Sequence, residues 1–281
     1  MLRKGTFILM KTKIQDMTSG SPGRLIILFA IPLMLGNICQ QLYTMVDTMV
    51  VGQIAGVEAL AALGAVDFLM WVVTGISTGL TQGFSIQLSQ YYGAKDFENL
   101  RKSLAHSYRL TAFIAAGVLI LSQSFASLVL TGLHTPSNII GMSLLYLRII
   151  FCGIPATAAY NMFASALRAM GNSKTPLTSM IIASVLNVSL DILFVAGFGW
   201  GVAGAAIATV IAQSFSAVYC FLILRRIDIV HLTRADFMPA SGMNARLMKL
   251  GIPVVFQNII IGVGGLVVQY VITVSYTHLT L

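Results

Sequence analysis

Long apolar runs separated by short polar connections organise the whole chain. Residues 25–51, 59–81, 104–130, 139–166, 177–198, 202–224 and 247–274 each hold the roughly 20 apolar residues needed to cross a hydrocarbon core. Pro22, after Ser21, suits the first turn of the opening helix. Gly52, Gly56, Gly132 and the glycines of 197–201 mark short connections. Pro32, Gly75, Pro155 and Pro253 fall inside spans, where neighbouring helices satisfy the carbonyls they free. The pattern predicts an all-α polytopic membrane protein of about seven transmembrane helices.

Composition agrees. Of 281 residues, 57% are hydrophobic and only 9% charged, against roughly 25% charged in soluble domains. A net charge of +8 could suit nucleic acid, but the basic residues do not gather with aromatics into a groove. Of the 17 basic residues, all but Arg148 fall in alternate connections. Arg3, Lys4, Lys11, Lys13 and Arg24 precede the first span, and Lys95, Arg101, Lys102 and Arg109 surround the second-to-third connection. Arg168 and Lys174 follow the fourth span, and Arg225, Arg226, Arg234, Arg246 and Lys249 follow the sixth. The positive-inside rule then predicts a cytoplasmic N-terminus in the plasma membrane. The apolar stretch 7–10 is too short for a signal peptide. Cys39, Cys152 and Cys220 lie in apolar runs without paired or metal-ligand spacing.

An internal repeat is legible. IPLMLGN in the first span and IPVVFQN in the seventh share the proline position, the asparagine and an upstream arginine (Arg24, Arg246). Two parallel six-helix repeats are a known transporter architecture. The expected organisation is a cytoplasmic tail (1–22), a six-helix N-lobe (23–224), a cytoplasmic linker (225–245), the first helix of an incomplete C-lobe (246–274) and a non-native tail (275–281).

Acidic residues carry the chemistry. Asp47, Asp67 and Asp191 lie inside apolar spans, where insertion costs about 2.5–3.5 kcal/mol on translocon scales. The alternative to a functional role is a packing hydrogen bond between helices, and Met70 and Trp71 beside Asp67 leave both readings open for Asp67. Asn187 and Asp191 are spaced i, i+4 and share a helix face. An amide carbonyl beside a carboxylate offers hard oxygen ligands for Na⁺, and a carboxylate taken out of water also accepts a proton. The same groups serve Na⁺ or H⁺ alike, so the sequence does not separate them.

Several stretches together resemble the multidrug and toxic compound extrusion (MATE) family of antiporters. They are AIPLMLGN…YTMVDTMVVG with LAALGA, ALRAMGNSKTP, and NVSLDILFVAGFGWGVAGAAIATVIAQ. The resemblance implies the N-lobe of a twelve-helix, two-lobe transporter plus the first C-lobe helix. It implies a cation-coupling site of Asp47, Asn161, Asn187, Asp191 and Thr209, with Na⁺ at Asp47, Asn187 and Asp191 or a proton instead, and a helix bend at Pro32. Val268 stands in the seventh span where Asp47 stands in the first, which places ion coupling in the N-lobe. The family implies alternating access and export of small organic, often cationic, compounds. No cofactor beyond the coupling ion, a lipid bilayer setting, a monomer and no nucleic-acid partner are expected. A single lobe cannot enclose a cavity, so the 281-residue chain alone is expected to move no substrate.

Two rivals remain. A lipid-linked precursor flippase of the same superfamily needs a basic cavity for pyrophosphate, and Arg148 is the lone intramembrane arginine. An intramembrane aspartyl protease could use Asp47 and Asp191, but they read MVDT and SLDI without the Gly-x-Gly-Asp motif. HExxH, GxSxG and phosphate-loop signatures are absent, and His106, His134, His231 and His278 are isolated. The chain therefore reads as a transporter and not an enzyme.

Overall fold

A computed structural model describes residues 21–133 and 135–279. The basic tail ahead of Ser21, and His134, lie outside the described residues. The described chain is a helical bundle: α1 (Pro22–Val50), α2 (Val57–Gly93), α3 (Phe97–Gly132), α4 (Ile140–Cys152), α5 (Ile154–Ala169), α6 (Lys174–Asp191), α7 (Gly201–Leu224) and α8 (Met243–Leu279). Six helices are long and apolar enough to cross a membrane, and α4 with α5 makes a seventh, broken span. That span bends by 46° at Gly153, where Pro155 cannot supply a helical N–H. The expected seven spans are all present.

Their ends differ from the apolar runs. α2 continues to Gly93, well past the expected limit at Thr81, and α3 begins at Phe97 rather than near Leu104. Polar turns prolong both helices beyond the hydrocarbon length. Asp96 caps α3, accepting from the Asn99 backbone N–H at 3.1 Å and its side-chain amide at 2.7 Å. α8 remains helical through Leu279, so the backbone over 275–279 continues the helix that the sequence reading ended at Val274. α1 runs through the buried Pro32 as one helix, leaving the Leu28 carbonyl without its usual partner.

The helices that carry Asp47 and Asp191 both widen just beyond them. α1 passes into a π-helical turn at Val51–Ala55, and α6 into another at Ile192–Gly197. Gly56, at φ 94°, then reverses the chain into α2, a backbone conformation few other residues accept.

Two apolar clusters fill the bundle. One gathers Phe84, Leu88, Leu104, Met162, Leu167 and Leu247, and the other Val66, Leu130, Leu147, Phe151, Val195 and Val202. The outward faces are equally apolar: Ile26, Met34, Leu42, Phe113, Ile120, Leu128 and Val185 are exposed. Such a surface is stable only in lipid.

α8 lies along α2 through small residues. A Cβ on Gly79 would come within 2.8 Å of Val255 backbone, and one on Gly83 would collide with Gly251. Asn258 adds a bond from its amide to the Gly75 carbonyl at 3.3 Å. The connection before α8 is tied to α3. Buried His106 faces the Asn244 amide oxygen through Nδ1 (2.7 Å) and the Met238 carbonyl through Nε2 (3.0 Å). Arg109 donates to the Phe237 carbonyl at 2.9 Å. Gln87 of α2 donates to the Met243 sulfur at 3.1 Å. His106 is thus a structural clasp, where the sequence marked only an isolated histidine.

Candidate cation-binding site

Three helices place the candidate residues by their pitch. α1 presents Tyr43 and Asp47, α6 presents Asn187 and Asp191, and α7 presents Thr209 and Gln213. Each pair is spaced i, i+4, one turn apart on a common face. Asp47 is 6% exposed, Asn187 1% and Asp191 0%. These groups are therefore removed from solvent, whatever lies outside the bundle.

Asn187 donates its side-chain amide to the Thr209 hydroxyl at 3.4 Å. That bond uses the donor end of the amide and leaves the carbonyl end bare. Asp47 Oδ1, Asn187 Oδ1, both carboxylate oxygens of Asp191 and Gln213 Oε1 are buried without a hydrogen-bond partner. The Asp47 and Asp191 carboxyls lie within hydrogen-bonding reach of one another. Two carboxylates are both acceptors, so they can bond only when a proton sits between them. Among the described residues the ion pairs are Arg101–Asp236, Lys102–Glu98 and His231–Asp228, and none reaches this group. Each unmet buried acceptor costs about 1–3 kcal/mol, and two facing carboxylates add repulsion. The arrangement calls for a small cation or a proton.

A cavity adjoins the group on the side of the N-terminal ends of α1 and α6. It is lined by Tyr43, Ser184, Asn187, Thr209, Gln213 and Ser216 among others, and encloses about 20 Å³. That is room for one water-sized particle. Among the described residues no three His, Cys, Asp or Glu side chains converge. The donors are hard oxygens, which match Na⁺ better than a soft transition metal.

Four of the five residues implied by the family resemblance come together: Asp47, Asn187, Asp191 and Thr209. Asn161 does not bond to any of them. Its amide donates to the Thr78 hydroxyl of α2 at 3.0 Å. Three further residues join the site without having been singled out in the sequence. Tyr43 and Gln213 line the cavity, and buried Tyr146 of α4 faces Asp47, Asp191 and Tyr43 electrostatically. Tyr43 and Gln213 lie one turn from Asp47 and Thr209, and that spacing was the available signal. Tyr146 had none. Pro32 lies on α1 well before the site, and Val268 is exposed on α8. Asp67 stands apart on an exposed face of α2.

Comparison with known proteins identifies the family. The MatE family profile matches residues 32–193. The chain is 30% identical over 266 residues to the probable multidrug resistance protein YpnP of Bacillus subtilis, covering 95% of this chain and 60% of that protein. It is 23% identical to the multidrug export protein MepA of Staphylococcus saprophyticus, covering 86% of this chain and 54% of the relative. A solved structure described as the outward-facing conformation of a multidrug resistance MATE family transporter of the MOP superfamily superposes with a TM-score of 0.82 at 25% identity, over 88% of this chain and 55% of that one. The chain thus spans little more than half the length of these relatives. With the profile matched across more than half its residues, on an all-helical membrane fold shared with solved MATE transporters, the chain belongs to the MATE family, whose members are secondary transporters and not enzymes.

Proposed function

We propose that the chain supplies the ion-coupling lobe of an exporter of small organic, often cationic, compounds. One observation supports this above the others: two buried carboxyls face each other beside an unbonded amide carbonyl, with no basic partner in reach. Such a group binds H⁺ or Na⁺ and is destabilised without one. The relatives named for multidrug resistance and multidrug export carry the substrate class, which passes to this chain as part of the same proposal.

The coupling logic is differential affinity. An ion that binds one arrangement of α1 and α6 more tightly than another shifts the population towards it by that difference. Pro32 offers α1 a point at which the helix can bend, since the Leu28 carbonyl already lacks its partner. The one-sided distribution of basic residues orients the lobe with the α2–α3 connection and the linker at the cytoplasm. The flippase reading would need a cluster of basic side chains within the spans, and Arg148 is the single arginine well inside one.

The test is ion binding by the purified chain in detergent, followed by ²²Na⁺ retention and by proton release on Na⁺ addition. Wild type is expected to show one or both, and Asp47→Asn/Asp191→Asn neither. Identical behaviour of the two proteins would overturn the proposal. In a complete transporter carrying this lobe, the same substitutions are expected to abolish the ion dependence of dye extrusion.

A further inference from the structure

Asp67 is a second expensive feature, and the buried pair does not absorb it. It lies ten residues into α2, about 15 Å along the axis from the first turn. That depth is half a hydrocarbon core, beyond the reach of lipid headgroups. Its side chain is exposed and makes no ion pair among the described residues. An unpaired carboxylate at that depth persists where it meets a polar cavity or a partner.

Its surroundings suit one kind of partner. Gly64, one turn before Asp67, leaves open space where any side chain would stand. Trp71, one turn after, is 52% exposed. Spacings of i−3 and i+4 put all three on one face. An indole and a carboxylate beside an open notch fit a cation that is also flat or lipophilic. The ring quadrupole attracts the charge, its surface takes the apolar body, and the carboxylate neutralises the charge. Phe68, the next residue, already packs against Gly265 of α8, so this face borders the α2–α8 seam. Transporter substrates bind near the midplane at such junctions between repeats.

We propose that Asp67 and Trp71 form a recognition site for an aromatic or lipophilic monocation, with Gly64 providing room for its body. The site rests on the exporter reading for its purpose but not for its test, because binding can be measured without transport. It is separate from the Asp47–Asp191 pair: Asp67 is open and accessible, whereas Asp47 and Asp191 are enclosed.

The experiment is equilibrium dialysis of radiolabelled tetraphenylphosphonium against the purified chain in detergent, with neutral triphenylphosphine oxide as competitor. Quenching of Trp71 fluorescence in a Trp200→Phe background locates the ligand. Wild type is expected to bind saturably and resist the neutral competitor. Asp67→Asn should weaken binding about tenfold or more, and Trp71→Leu about threefold or more. Glu98→Gln, a charge change on an exposed helix start, should leave it unaltered. Thermal unfolding of each variant shows that it remains folded. Unchanged affinity in folded Asp67→Asn would overturn the site. So would binding that Asp47→Asn removes and Asp67→Asn does not, since the cation would then be reading the buried pair. Either result leaves the ion-coupling proposal standing.

Discussion

Gly83 of α2 packs directly against the backbone of Gly251 in α8, with no space for a Cβ between them. The obstacle is main chain, so it cannot rotate aside. Gly83→Val is expected to destabilise the fold by about 1–3 kcal/mol, the ordinary range for overpacking. Gly93→Ala, where a Cβ meets nothing within 4 Å, should not destabilise it. Thermal unfolding of both proteins in detergent checks the contrast.

Neutralising one member of the buried pair should separate stability from function. Asp47→Asn gives the site an N–H donor for an oxygen of Asp191 that now has none. The substitution is expected to raise stability by about 1–3 kcal/mol while abolishing ion binding. A loss of stability together with retained ion binding would contradict the geometry described above.

The clasp on α3 makes a third prediction. His106→Ala removes both contacts to Met238 and Asn244 and should cost about 1–3 kcal/mol. Amide exchange should rise across 237–244 and stay unchanged in α6. Arg109→Ala, which loses one bond at an exposed carbonyl, should have the smaller effect on the same segment.

Asp96 sets an acid limit at the start of α3. The Asn99 side-chain amide and backbone N–H hold its carboxyl below the ordinary aspartate value of 3.8. A lowered folded pKa gives stability that is complete above the unfolded value and lost as pH falls through the lowered one. Protection factors over Phe97–Leu100 should therefore be level from pH 7 to about 5 and fall below about 4. In Asp96→Ala they should be low throughout.

Much of this architecture is legible in the sequence. Seven runs of sufficient length, with every basic residue but Arg148 in alternate connections, define the spans because lipid tolerates few other sequences. Helix ends were not readable at the α2–α3 corner. Gln87, Tyr91 and Tyr92 look like loop residues in a hydropathy scan, yet they extend α2 beyond the membrane and pack against the connection. The acids of the site announced themselves by cost. Tyr43, Tyr146 and Gln213 did not, because a tyrosine or glutamine inside a membrane helix is cheap enough to serve packing alone. Asn161 was suggested by its spacing within a familiar stretch, and its amide nitrogen donates to Thr78 of α2.

The segment between α7 and α8 is fastened at Phe237 and Met238, and the first turn of α8 that it leads into at Met243 and Asn244. It therefore acts as a brace and not a tether. α8 meets α2 with its rotation and height already chosen, before any glycine of the seam is engaged. Extra residues inserted between Asn244 and Gly251 would put the two helices out of step.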